Sequence, residues 1–108
     1  MTAPLVEILY FEGCPNHEQA RELIERVSAR LGVVLDVRLL EVRDVAEAKE
    51  MRFLGSPTVR VDGVDVEPGT GTRNEFVVAC RVYQTASGFQ GQPDESWVVN
   101  ALRKRAAG

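Results

Sequence analysis

The sequence is poor in the residues that carry redox and metal chemistry, and it has no excess of positive charge. Its 108 residues include two cysteines and one histidine. Two cysteines cannot form the disulfide framework of a small secreted domain. With 13 basic against 16 acidic side chains the formal net charge is -3. The chain therefore lacks the basic surplus that supports binding to nucleic acids or acidic membranes.

Long apolar segments are also missing. No apolar run approaches the roughly 18 residues of a membrane-spanning helix, and the first residues lack the charged and apolar regions of a secretion signal. We expect a soluble, cytoplasmic monomer or homodimer without a cofactor, a membrane or a nucleic-acid partner. A hydrophobic content of 44% is enough for one packed core, so we expect a single domain over residues 1–108.

The first part of the chain alternates strand and helix patterns. Residues 5–11 read LVEILYF, a short and almost continuous apolar run that is typical of a buried strand. Over residues 15–31, apolar side chains recur at spacings of three and four, which predicts an amphipathic helix that Gly32 ends. A second strand is predicted over residues 33–42.

The middle of the chain favours a short helix and then paired strands. The helix is predicted to begin after Asp44, at a capping-box spacing, and to end at Gly55. Residues 58–62 alternate with period two, and the pair Asp62-Gly63 at their end is a strong hairpin signal. Either residues 64–66 or the strand-like residues 76–83, FVVACRVY, are the expected partner of this third strand.

A last helix is predicted from Pro93, with acidic residues in its first turn and basic residues in its last. Its inward face consists of Trp97, Val98, Ala101 and Leu102. The expected order is β-α-β-α-β-β-α around a four-stranded mixed sheet, with room for one further short strand. This alternation is typical of the α/β class.

Two motifs, together with this order of elements, resemble those of a known protein family. Gly13, Cys14 and Pro15 occupy the first strand-to-helix junction, and Ser56 and Pro57 come immediately before the third strand. With the order of elements, they resemble the thioredoxin superfamily along nearly the full chain, which implies a three-layer α/β/α arrangement. The details GCPNH, LGSPTVRVDG and ACRVY resemble a group of small thioredoxin-like proteins, some of which carry names tied to alkylmercury lyase.

Cys14 is the candidate nucleophile. A thiol at the start of a helix lies among unpaired backbone N–H groups and the positive end of the helix dipole, both of which favour the thiolate. The alternative is a small, inert, buried side chain. The resemblance implies that Pro57 is a cis-proline beside Cys14 and that the Ser56 backbone is free to pair with an extended substrate. Gly13 and Pro15 would border the same substrate site.

The family commonly places a second cysteine three residues after the first, where this chain has His17. Cys14 must then pass a mixed disulfide to an external thiol or use Cys80 as an internal resolving partner. Cys80 as a core residue of a strand is the competing interpretation. His17 either stabilises the thiolate and shuttles its proton or is an ordinary residue of the helix surface.

Three functions remain open. The first is a thiol-disulfide oxidoreductase or monothiol transferase acting on a protein disulfide or a low-molecular-weight thiol. The second is the binding of a soft metal such as zinc, copper or mercury through Cys14, His17 and Cys80. The third is a non-catalytic thioredoxin-fold module or dimerisation unit, since a fold does not dictate an activity.

Overall fold

The computed structural model describes residues 3–107. In chain order its elements are β1 (Leu5–Tyr10), α1 (His17–Leu31), β2 (Asp36–Glu41), α2 (Val45–Glu50), β3 (Thr58–Val61), β4 (Val64–Asp65), β5 (Tyr83–Thr85), β6 (Gly88–Gln90) and α3 (Glu95–Ala107). No helix in this part of the chain has the length and apolar content needed to cross a membrane.

Four strands form one mixed sheet in the order β2-β1-β3-β4. β1 runs parallel to β2 and antiparallel to β3, with Leu9 opposite Thr58 at the end of the ladder. β4 pairs antiparallel with β3, so residues 64–65 rather than 76–83 provide the neighbour of the third strand. The predicted α/β class, the mixed four-stranded sheet and the three helices are confirmed.

The helices cover both faces of this sheet. Val6 and Ile8 pack with buried residues of α1 and α3 in the larger core cluster. Leu9 belongs to a second cluster with Ala48 of α2 and Phe53. Because successive side chains of a strand point to opposite faces, Ile8 and Leu9 anchor the two clusters on opposite sides of β1.

The helix ends follow local chemistry. Gly32 ends α1 in the left-handed conformation, with φ 65°. Asp44 caps α2, because its carboxylate accepts the backbone N–H of Glu47 at 2.8 Å. α2 ends before the predicted position at Gly55, since Arg52 adopts a left-handed φ of 54° that an α-helix cannot contain.

The predicted strand over residues 76–83 is wrong for most of its length. Residues 77–81, here called the return segment, run beside residues 53–56 and are joined to them by isolated backbone hydrogen bonds. The Val77 N–H donates to the Phe53 carbonyl at 3.1 Å. A single parallel bridge joins Ser56 and Cys80. Such sparse pairing fixes the path of the segment without forming a strand.

A second, two-stranded sheet follows the return segment. β5 and β6 pair antiparallel, with Thr85 opposite Gly88. The sequence does not predict this hairpin, because the turn between the strands lacks the Asn-Gly or Asp-Gly pair that usually marks a tight hairpin. The hairpin exposes Phe89, which is 75% accessible.

Candidate functional site

Cys14 lies in the turn between β1 and α1. It precedes Asn16, the N-cap of α1, by two residues, and its backbone N–H donates to the Phe11 carbonyl at 3.1 Å. Gly13 and Pro15 on either side are exposed, whereas Cys14 itself is only 3% exposed. The turn thus presents its backbone to solvent and packs the thiol inward.

Both ring nitrogens of His17 lie close to oxygen atoms. Its Nδ1 lies 2.9 Å from the carbonyl oxygen of Cys14, which can only accept, so Nδ1–H is the donor. The Nε2 lies 3.3 Å from a carboxylate oxygen of Glu18, and the ring stacks on Tyr10 at 4.4 Å. These contacts hold the turn that carries Cys14.

The Ser56-Pro57 peptide bond is cis, which is the predicted isomer. The expectation that the Ser56 backbone is free is wrong. Its N–H donates to the Ala79 carbonyl and its carbonyl accepts the Arg81 N–H, both at 2.8 Å. The return segment therefore occupies the main-chain groups that were expected to pair with an extended substrate.

Cys80 is exposed, which corrects the interpretation of this residue as part of a core. From Cys80 to Gln84 the side chains alternate between exposed and buried, with Arg81 and Tyr83 buried and Cys80, Val82 and Gln84 exposed. A strand-like segment buries every second side chain, and here the inward positions belong to the arginine and the tyrosine. Cys80 consequently faces outward.

The two cysteines are brought to the same end of the sheet. Leu9 opposite Thr58 is the last registered pair of β1 and β3. Cys14 follows Leu9 in the chain. Ser56, whose backbone forms the bridge to Cys80, comes shortly before Thr58. Both thiols are free, with no disulfide between them.

Arg81 is a site residue that the sequence reasoning missed. Its side chain is 1% exposed, and its guanidinium donates at 2.7 Å to both Asp65 and Glu67. A third bond runs to the Thr58 hydroxyl at 3.1 Å. Burial alone would lower the pKa of Arg81, but the hydrogen bonds and negative charges of Asp65 and Glu67 raise it above the ordinary value. The sequence signal for this buried ion-pair site is an arginine inside the apolar run at residues 76–83, which follows the acidic stretch VDVE at residues 64–67.

Tyr83 provides a further anchor at the same place. Its hydroxyl donates to the Pro57 carbonyl at 2.5 Å, and its ring lies 4.3 Å beneath the Arg81 guanidinium. Burial raises the pKa of Tyr83 far above its ordinary value, so the hydroxyl stays protonated as a donor. The segment that carries Cys80 is thus held on the Ser56-Pro57 loop by backbone and side-chain bonds.

Cys14, His17 and Cys80 do not form a metal-binding group. Among residues 3–107, no three His, Cys, Asp or Glu side chains are arranged to hold a metal ion. No protein-family model, curated protein or solved structure significantly matches the chain.

Proposed function

We propose that the protein is a thioredoxin-like thiol-disulfide oxidoreductase, with Cys14 as the nucleophile and Cys80 as the resolving thiol. The observation that carries this proposal is the bridge between Ser56 and Cys80, which returns a distant cysteine to the end of the sheet where Cys14 lies. A free, exposed thiol on an anchored segment suits the second step of disulfide exchange.

The architecture supports the thioredoxin-like part of the proposal. The strand order is β2-β1-β3-β4 with β3 antiparallel to β1. Helices cover both faces, and a cysteine precedes the first helix, as expected from the resemblance. We assign a three-layer α/β/α arrangement on this basis.

The reaction would proceed in two displacements. The Cys14 thiolate attacks a substrate disulfide, forms a mixed disulfide with one substrate sulfur and releases the other as a thiolate that takes up a proton. The Cys80 thiolate then attacks the Cys14 sulfur, forms a Cys14-Cys80 disulfide and releases the second substrate thiol. The substrate disulfide is reduced, the cysteine pair is oxidised, and an external thiol reductant must restore it.

The other site residues would position these groups. Because the Nδ1–H of His17 donates to the Cys14 carbonyl and its Nε2 lies beside a Glu18 carboxylate oxygen, this ring would hold the turn that carries Cys14. Gly13 and Pro15 would border the entering disulfide, since both are exposed beside Cys14. Ser56 and Pro57 would hold Cys80 in place through the backbone bridge.

The surface around Cys80 favours a protein disulfide over a small one as the substrate. Val82 is 65% exposed and Phe89 75% exposed. Val82 lies on the same side of its segment as Gln84, which pairs directly with Phe89 across the hairpin. Exposed apolar side chains beside the thiol suit contact with a partner protein. The free thiols suit the reducing cytoplasm.

The proposal is tested by treating the reduced protein with a small aromatic disulfide and then measuring its intact mass by mass spectrometry. We expect the wild type to lose the mass of two hydrogen atoms and to carry no adduct, because Cys80 expels the first adduct from Cys14. The Cys80→Ser variant should retain one adduct on Cys14. Two stable adducts on the wild type would contradict the assignment of Cys80 as the resolving thiol.

The burial of Cys14 favours one other function, a non-catalytic module in which this thiol is a packing residue. Its exposure of 3% is typical of a free cysteine in a core. On this alternative, Cys14 would react only when the chain unfolds, whereas Cys80 would react freely. Separate alkylation rates for the two thiols in the folded protein distinguish the two functions.

A further inference from the structure

A wide groove lies between the β3-β4 hairpin and the last turns of α3, away from the turn that carries Cys14. It encloses about 1290 Å³. Six basic side chains line it against three acidic ones. This surface, here called the basic groove, is positive in a chain whose formal net charge is -3.

The three acidic side chains of the groove already have basic partners. Asp62 forms an ion pair with Arg105. Asp65 and Glu67 both accept hydrogen bonds from the buried Arg81, as described above. None of the three carboxylates forms an ion pair with the other cations of the groove except Glu67, which also pairs with Arg73.

Four cations of the groove have no carboxylate partner. Within the described part of the chain, no ion pair is formed by four basic residues of the groove lining: Arg52, Arg60, Arg103 and Lys104. They come from α3, from β3 and from the turn after α2. The fold therefore gathers unpaired positive charge from three separate places.

Arg60 shows that this arrangement has an electrostatic cost. Its guanidinium donates to the carbonyl oxygens of Met51 and Arg52 at 2.7 and 2.9 Å, and it has no ion pair of its own. Burial lowers the pKa of Arg60 below the ordinary value, even though Asp65 and Glu7 nearby act in the opposite direction. A bound anion would offset this desolvation.

The groove also offers apolar surface and has more room than a small ligand needs. Apolar side chains contribute to its lining, among them Leu54, Val61, Val66, Phe76 and Trp97. Pockets for small molecules usually have volumes of about 300–1,000 Å³. The size and the mixed lining indicate a chain-like occupant with acidic and apolar side chains.

We propose that the basic groove binds an acidic, extended peptide segment of a partner protein. Carboxylates of the peptide contact Arg60, Arg103 and Lys104, and its apolar side chains pack on the floor of the groove. A nucleic acid would meet the same cations, but the apolar part of the lining suits apolar side chains of a peptide rather than a polyphosphate backbone. The proposal is independent of the thiol chemistry of Cys14.

Fluorescence anisotropy with two labelled eight-residue peptides tests this inference, one alternating Glu and Leu and the other Lys and Leu. We expect the acidic peptide alone to bind, and its binding to weaken as salt increases. The double variant Arg103→Gln/Lys104→Gln should bind about five- to tenfold more weakly, because each exposed ion pair contributes up to about 1 kcal/mol and 1.4 kcal/mol is tenfold.

The matched control is Arg43→Gln/Lys49→Gln, which removes the same charge from exposed positions outside the groove. It should bind the acidic peptide as tightly as the wild type. Equal weakening in both variants, binding of the Lys-Leu peptide, or no binding of the acidic peptide would each overturn the proposal. Displacement of the acidic peptide by inorganic phosphate or by a single-stranded oligonucleotide at equal charge concentration would also overturn it.

Discussion

Arg81 is the residue on which the local structure around Cys80 depends. A guanidinium that is 1% exposed is costly to bury unless anions and hydrogen-bond acceptors surround it. Here Asp65, Glu67 and the Thr58 hydroxyl accept its bonds. Because Asp65 belongs to β4 and Thr58 to β3, this one side chain ties the return segment to the sheet.

Replacement of Arg81 should therefore be strongly destabilising. We expect Arg81→Met to lower the free energy of unfolding by about 3 kcal/mol or more, because Asp65 and Glu67 would lose their buried partner. Arg38→Met is the control, since Arg38 pairs with Asp36 at the surface, and it should cost less than about 1 kcal/mol. Urea unfolding of both variants measures the difference, and similar losses would contradict a special role for Arg81.

At the scale of elements, the return segment packs so closely on the loop before β3 that only glycine fits at position 55. A Cβ atom there would lie 2.9 Å from the Cβ of Arg81 and 3.2 Å from the Ala79 carbonyl oxygen. Gly55 also has φ +117°, which side-chain-bearing residues rarely adopt. The contact therefore joins two segments that are distant in sequence.

The variant Gly55→Ala should lower the free energy of unfolding by about 2 kcal/mol or more, through backbone strain and the clash with Arg81. Gly71→Ala is the matched control, because nothing lies within 4 Å of its added Cβ. Its effect should stay within about 0.5 kcal/mol. Thermal unfolding of the two variants tests the close approach, and a tolerated alanine at position 55 would contradict it.

The start of α3 gives a prediction of pH dependence. The carboxylate of Asp94 accepts the Ser96 hydroxyl at 2.7 Å and the Ser96 backbone N–H at 2.9 Å. These bonds lower the pKa of Asp94 below its ordinary value of 3.8. Because the folded pKa is the lower one, the stabilisation is present above pH 3.8 and is lost as pH falls through the folded pKa.

The variant Asp94→Ala should lose about 1 kcal/mol of stability at neutral pH, as for removal of a helix cap. The loss should shrink as pH falls through the folded pKa of Asp94, because the wild-type carboxylate then becomes protonated. Asp94→Asn keeps a neutral cap and should show a smaller loss without this pH dependence. Urea unfolding at several pH values checks the three proteins, and a pH-independent loss in Asp94→Ala would refute the cap.

Helices were more predictable from the sequence than the return segment. The spacing of apolar residues before Gly32 identifies α1, and the Asp62-Gly63 pair identifies the hairpin between β3 and β4. Residues 76–83 look like a strand because they are apolar and β-branched. Which side of that segment is buried depends on Asp65 and Glu67, and local periodicity contains no information about them.

At the scale of the whole molecule, β1, β3 and the return segment meet at one end of the sheet. β1 leads into the Cys14 turn, β3 begins just after Ser56, and the return segment bridges Ser56 through Cys80. The sequence indicated the junction that carries Cys14, and the resemblance of its motifs implied the cis bond before Pro57. It could not indicate the outward position of Cys80, because Arg81 and its acidic partners decide that orientation.

The rate of alkylation of Cys14 tests the central claim most directly. The claim requires the buried Cys14 thiol to react while the protein is folded. The measurement uses the Cys80→Ser variant at neutral pH, folded and in concentrated urea, with peptide mass spectrometry. The account predicts that Cys14 reacts faster in the folded protein than in urea, because disulfide exchange through Cys14 requires a thiol that is reactive in the fold. A folded protein in which Cys14 reacts more slowly than in the unfolded chain would contradict it.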